Sequence, residues 1–313
     1  MDHLSSVMES HAIDPARRKS EILQDLESGA ELDLVPRDRL GDGLIAMIIA
    51  ANLARAGFRV RVWHQQLATL NGWFPNFQVL PRDQASGFSS ELGIHQRSDT
   101  LEGGPKTTRV HVIGDSIPRT RGHRAELYRH WIQDALGLEQ ATLDLDSRPP
   151  LGVEPGKHPN RIVLHPMSAN LRRSWPAKRY LELGEALTRR GWTVTFVMHS
   201  SDEQQWLDQS AARFPHRAFL NLADLASFFA ESRLFVGNDS GPGHLASAMG
   251  IPTVTIAARE SQARRWRPCW SPSALVVPTF FLPGARLQFA TWHLFSPVRN
   301  AVDVVERLIG DTE

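Results

Sequence analysis

One cysteine, Cys269, stands in 313 residues. It excludes an internal disulfide and any cysteine-rich metal or iron site, and it fits a reducing compartment. No run of about 18 apolar residues is present, and the chain starts polar and acidic, so neither a membrane-spanning helix nor a signal peptide is expected. Charge of one sign is missing as well: 35 Lys and Arg stand against 34 Asp and Glu, a net charge of +1 that argues against a dedicated nucleic-acid binder. Neither half carries Gly-x-Gly-x-x-Gly after its first strand, which argues against a dinucleotide oxidoreductase. The expectation is a soluble, cytoplasmic protein with no nucleic-acid partner and at most peripheral contact with a membrane.

The length fits two domains, each with an apolar core of its own. Positive charge is clustered at Arg119, Arg121, His123, Arg124, Arg129 and His130. Such a patch can meet an anionic substrate or lipid surface, or be a solvated helix face. The most informative stretch runs from Leu234 to Ile256. A short apolar run ends in Gly237-Asn238, the chain turns through Asp239-Ser240-Gly241, and Pro242 opens a segment with helical apolar spacing that Gly250 closes. A strand, tight turn and helix start of this kind presents free N–H groups and the positive end of a helix dipole, which suit a phosphate. Asp239 or Ser240 capping an ordinary helix explains the same residues.

From its beginning the chain reads as a polar, weakly amphipathic helical extension (1–30), then a strand at Glu31-Leu-Asp-Leu-Val-Pro36 and a turn rich in glycine and charge (37–43). A helix follows over 44–56 and a strand over 59–63. The loop lies at the C-terminal end of the first strand, where open α/β sheets place their sites, so Asp42 is either a functional acid or a helix N-cap. Residues 65–99 read as turns with one short strand (77–80). Another strand is expected near 109–114 and a helix over 124–136. Four prolines and two glycines between Ser147 and Asn160 mark a linker (147–160). It separates a first domain (31–146) from a second (161–313). In the second, strands are expected at 161–165, 193–198, 217–220, 233–236, 252–256 and 274–277. Helices are expected at 176–190, 202–212, 222–230, 242–249 and 297–308. That rhythm means a doubly wound α/β sheet.

Three motifs in this order and spacing, Arg39-Leu-Gly-Asp42, His165-Pro166 with Arg172-Arg-Ser-Trp-Pro176, and Asn238-Asp-Ser-Gly-Pro-Gly-His-Leu-Ala246 with Gly250-Ile-Pro252, resemble the heptosyltransferases of glycosyltransferase family 9. The resemblance covers about residues 31 to 310, closely in the C-terminal half and only around Asp42 in the N-terminal half. It implies a GT-B fold: two Rossmann-like doubly wound domains facing a cleft, with the acceptor on the first and an ADP-heptose-like nucleotide sugar on the second. It further implies a lipopolysaccharide-core or other anionic glycan or glycolipid acceptor, at the inner face of the inner membrane.

An inverting glycosyl transfer needs a base near the acceptor hydroxyl and stabilisation of the departing diphosphate, with no covalent intermediate, metal or cofactor. Asp42 matches the family's aspartate and is the candidate base. On the donor side the resemblance points to Ser168, to Arg173 where lysine is usual (or its neighbour Arg172), and to Asp202 or Glu203 near the ribose. It also points to Ser240 and Gly241 at the diphosphate, Asp239 at sugar hydroxyls or as a cap, and His244. Arginine keeps lysine's charge but not its geometry. Two other readings stay open: Gly114-Asp-Ser116 as the nucleophile block of a Gly-Asp-Ser esterase, though no late Asp-x-x-His partner follows, and a nucleotide-sugar-binding protein without catalysis.

Overall fold

A computed structural model describes residues 20–114, 117, 122–168, 174–210, 213–280 and 291–312. The N-terminal unit holds five parallel strands: β1 (Glu31–Val35), β2 (Arg59–Trp63), β3 (Gln78–Leu80), β4 (Ser89–His95) and β5 (Lys106–Val112). Their spatial order is β3-β2-β1-β4-β5. Helix α1 (Leu40–Arg55) crosses from β1 to β2, and α2 (Arg124–Leu136) follows β5 and closes on Gly137 at φ 68°. The remaining crossovers contain 3₁₀ turns, Leu67–Trp73, Arg82–Gly87 and Ser98–Thr100.

The second unit has six parallel strands in the order β11-β10-β9-β6-β7-β8. They are β6 (His158–His165), β7 (Thr193–His199), β8 (His216–Phe219), β9 (Ser232–Asn238), β10 (Thr253–Ile256) and β11 (Ser273–Val276). Between them run α3 (Ala177–Thr188), α4 (Glu203–Ser210), α5 (Leu222–Ala230), α6 (Gly241–Ala248) and α7 (Glu260–Trp266), and α8 (Val298–Gly310) returns to the sheet. Both sheets reverse strand order once, at β1/β4 and at β6/β9. The C-terminal ends at such a reversal leave a crevice.

Several expectations need correction. Helix α1 starts four residues earlier than its apolar run, so the charged turn before it is partly helical. Residues 20–29 form turns where a helix was expected, and they carry Leu23 and Leu26 into the core. Strand β4 lies in the stretch read as turns: its serines, glutamate and glycine dilute the apolar signal, yet Leu92 and Ile94 reach the core. Strand β6 begins at His158, inside the segment read as a linker.

From Gly43 to Leu53 every residue of α1 is buried. A helix that is apolar all round needs partners on all sides. The N-terminal sheet supplies one, and α2, α6 and the 3₁₀ turn Leu67–Trp73 supply the others, within one apolar cluster that continues to Phe229, Leu245 and Ile251 of the second unit. Asn52 is its polar exception and is fully used: its amide donates to Ile48 O (2.7 Å) and Thr142 O (2.9 Å) and accepts from Thr142 N (2.9 Å). The chain leaving the first unit is thereby tied to α1, and Arg55 adds an ion pair to Asp146 (2.8 Å). A separate core, with Trp175, Phe196 and Trp206, fills the far side of the second sheet.

Candidate active site

Between the C-terminal ends of the two sheets lies a cleft of about 1650 Å³, lined from both units. On its N-terminal wall stands Asp42, in the first turn of α1, whose N-cap is Arg39 with an extended backbone and no capping side chain. Asp42 is therefore not the cap. It still gains from the positive end of the helix dipole. Burial raises its pKa above the ordinary carboxylate value, and Arg37, Arg39, Arg124 and Arg97 oppose that rise.

The loop before α1 is braced from behind. Gln96, at the end of β4, accepts from Arg37 N (2.7 Å) and donates to the Tyr128 hydroxyl (2.6 Å). His64 takes the N–H of Leu67 on Nδ1 (3.2 Å), which leaves its proton on Nε2, and burial lowers its pKa. A Cβ on Gly43 would sit 2.8 Å from that Nε2, so this glycine lets the ring lie against the helix. Arg124 lies over Tyr128 (5.3 Å) on one side and over Trp266 of the second unit (5.8 Å) on the other.

The C-terminal wall is organised around Asn238, at the end of β9. Its side chain accepts from Trp175 N (2.9 Å) and donates to Pro166 O (2.8 Å), joining the ends of β6 and β9 to the Trp-Pro segment. The Trp175 indole donates to Ser296 O (3.2 Å). Ser240 is the N-cap of α6 but caps with no side-chain bond, and its hydroxyl donates to Asn238 O (3.2 Å). Asp239 does not cap the helix; its carboxylate lies 3.5 Å from the Gln262 amide.

Gly241 lies in close packing. A Cβ there would meet Leu40 Cβ at 2.8 Å, and one on Gly41 would meet His244 Cδ2 at 3.1 Å. The starts of α1 and α6 thus touch, and both open on the cleft. His165 and His244 line it almost wholly buried, with pKa values lowered to about 4 by desolvation and with Nδ1 lacking a partner among the described residues.

Of the other expected donor residues, Ser168 and Asp202 line the cleft and Glu203 does not. The Glu203 carboxylate is 3.1 Å from His216 Nε2. Arg172 and Arg173 lie outside the described residues, as do Ser116 of the esterase reading, Arg119 and Arg121. Sequence reasoning missed Gln96, Asn238 as a brace, Gln262, Trp266 and Trp292. Asn238 could have been found, since a buried amide at a strand end needs partners on both sides. The others come from segments without a motif, Gln262 and Trp266 from the short helix α7 and Trp292 from a 3₁₀ turn. Among the described residues, no group of three or more His, Cys, Asp and Glu side chains could hold a metal ion.

The model of the family described as glycosyltransferase family 9 (heptosyltransferase) matches residues 121–279. Lipopolysaccharide heptosyltransferase 1 of Pseudomonas aeruginosa is 29% identical over 144 residues, 45% of this chain and 39% of that protein. Lipopolysaccharide heptosyltransferase 3 of Escherichia coli is 24% identical over 161 residues, 49% and 45% of the two chains. The aligned stretch thus spans less than half the length of either curated relative. Among solved structures, an E. coli heptosyltransferase with ADP superposes with a TM-score of 0.68 at 14% identity, covering 89% of this chain and 99% of that one. The E. coli ADP-heptose heptosyltransferase II superposes with a TM-score of 0.65 at 16% identity over 90% and 99%. These superpositions extend over the N-terminal unit, outside the family match, and show the GT-B arrangement of two Rossmann-like units facing a cleft.

Proposed function

The chain belongs to glycosyltransferase family 9, and from that premise we propose that it transfers a heptose, or a related sugar, from an ADP-sugar to a lipopolysaccharide-core or similar anionic glycan, with inversion and without a metal. One observation carries the reading: Asp42, an acid whose pKa burial raises, stands in a helix start that touches the helix start of the opposite unit across one cleft. In the reaction, an acceptor hydroxyl gives its proton to the Asp42 carboxylate as its oxygen forms the new bond to the sugar's anomeric carbon. The bond from that carbon to the diphosphate breaks on the opposite face, and the departing charge meets the N–H groups at the start of α6. A raised pKa makes Asp42 a stronger base than an exposed aspartate. Arg37, Arg39, Arg97 and Arg124 surround it and favour an acceptor carrying negative charge.

Replacing Asp42 by Asn tests this. Transfer from ADP-heptose should fall by about 10²- to 10⁴-fold, the usual worth of general-base assistance, while ADP affinity stays within about two-fold. Transfer should also persist in EDTA. ADP affinity falling in step with rate would make Asp42 a donor ligand, and ADP-sugar binding without transfer by the wild type to any glycan acceptor would leave a binding protein. With no helix among the described residues long and apolar enough to cross a membrane, the reading extends to a cytoplasmic enzyme that meets its acceptor peripherally.

A further inference from the structure

At the opposite ends of the second sheet's strands a second cavity opens, about 440 Å³, at the start of β6, β7 and β8. Strand β7 alone puts about 20 Å between Thr193 at this cavity and His199 at the cleft, at ~3.3 Å per residue. Lys157, Arg161 and Arg217 line it, with Thr193 and His216, and no carboxylate does. The nearby acids are engaged: Glu154 with Lys157 (3.2 Å), Glu203 with His216 (3.1 Å) and Glu231 with Arg161 (3.8 Å). Arg217 has no acidic partner among the described residues.

Two guanidinium groups share one aromatic ring here. Arg161 lies 3.9 Å over Phe228, held by Ser232 Oγ (2.8 Å) and Phe228 O (3.1 Å), and Arg217 lies 5.4 Å from the same ring. Burial and the neighbouring charge of Arg217 pull the Arg161 pKa down, against Glu231. Two like charges at one ring, one of them pinned flat, suit a doubly charged oxyanion that would relieve their repulsion.

We propose that this cavity is a second ligand site that takes a phosphate group between Arg161 and Arg217, separate from the cleft. The phosphate is either free or carried on a small organic ester. The test is a titration of the full chain with inorganic phosphate, and in parallel with glycerol 3-phosphate, at constant ionic strength. It is followed by NMR of the side-chain Nε–H signals of Arg161 and Arg217, which report locally even if phosphate also enters the cleft. Saturable shifts of both signals are expected, with affinity at least ten-fold weaker in Arg217→Ala, an exposed position whose loss leaves the fold intact. Arg59→Ala, on the other unit, should change nothing. Tighter binding of the ester identifies a carrier that fills the rest of the cavity, and equal binding identifies free phosphate. Shifts that rise linearly without saturation, or the same affinity in Arg217→Ala, overturn the proposal.

Discussion

The two halves of this molecule build the same crevice by different means. In the second unit most crossovers are helical, and its wall of the cleft gathers residues from the ends of β6, β7, β8 and β9 and from α6 and α7. The first unit crosses through short 3₁₀ turns, and α1 is the one α-helix between its described strands. On the proposed reading its chemistry is concentrated on that helix, since Asp42 and the touching residues Leu40 and Gly41 all lie in its first turn. A binding wall can thus be spread over many elements, whereas a base needs one rigid support. Loss of function should be steep in the first half and graded in the second.

The largest effect expected is that of Asp42→Asn, about 10²- to 10⁴-fold in rate, against a much smaller cost for any single described side chain of the opposite wall. A C-terminal variant with intact folding and an equal loss of rate would break the contrast.

Next comes a pH dependence, to which the two most buried histidines of the second half contribute most, while burial lowers His64, His95, His111 and His123 of the first half in the same direction. His165 and His244 stay neutral in the fold down to about pH 4, whereas the unfolded chain protonates them near 6.5. Below 6.5 the unfolded state holds the extra protons, so stability falls as pH drops from 6.5 towards 4, at up to about 1.4 kcal/mol per pH unit for each histidine. Urea unfolding at intervals from pH 7 to 4.5 measures the slope, and His244→Gln should reduce it by the share of one fully buried histidine. An unchanged slope in that variant would show that His244 is protonated in the native cleft.

Third, Gly241→Ala forces a Cβ onto Leu40 Cβ, a backbone-anchored atom, and should cost about 1–3 kcal/mol of stability. Gly72→Ala, with open space around it, should cost little. If Gly241→Ala keeps full stability but loses ADP, the glycine serves the ligand rather than the helix contact. The smallest effect sharpens the second half internally. Asp202→Asn should weaken ADP binding by about ten-fold, the worth of one charged hydrogen bond, and Glu203→Gln should leave it unchanged because that carboxylate is turned to His216. The reverse order would return the ribose contact to Glu203.

The legibility of the sequence follows the same division. In the second half, β-branched strands alternate with amphipathic helices, so periodicity located nearly every described element. Helix α7 escaped because seven residues, Glu260 to Trp266, are too short for a periodic signal. In the first half β4 was invisible, since Ser89, Ser90, Glu91 and Gly93 outnumber its apolar residues and only the opposing strands reveal its role. A place on the cleft was legible where a turn motif fixed it, as for Asp42 and Ser240. Side chains arriving from elsewhere in the chain were not: Gln96 lies 59 residues from the loop it braces, and Trp266 faces Arg124 across the cleft. The packing of Gly241 escaped for a related reason. A glycine before a helix suits a phosphate on local grounds, but its tightest neighbour, Leu40, is 201 residues away.

That contact makes a ruler of the backbone. With Gly41 and Gly241 giving up their side chains where α1 meets α6, the span from the Asp42 carboxylate to the first N–H groups of α6 is set by how closely two helices can approach. The occupant of the cleft does not set it. The apolar cluster beneath continues from one unit to the other and supports the same contact. On the proposed reading, selectivity for the size of the transferred group then follows from packing as well as from the residues that touch it.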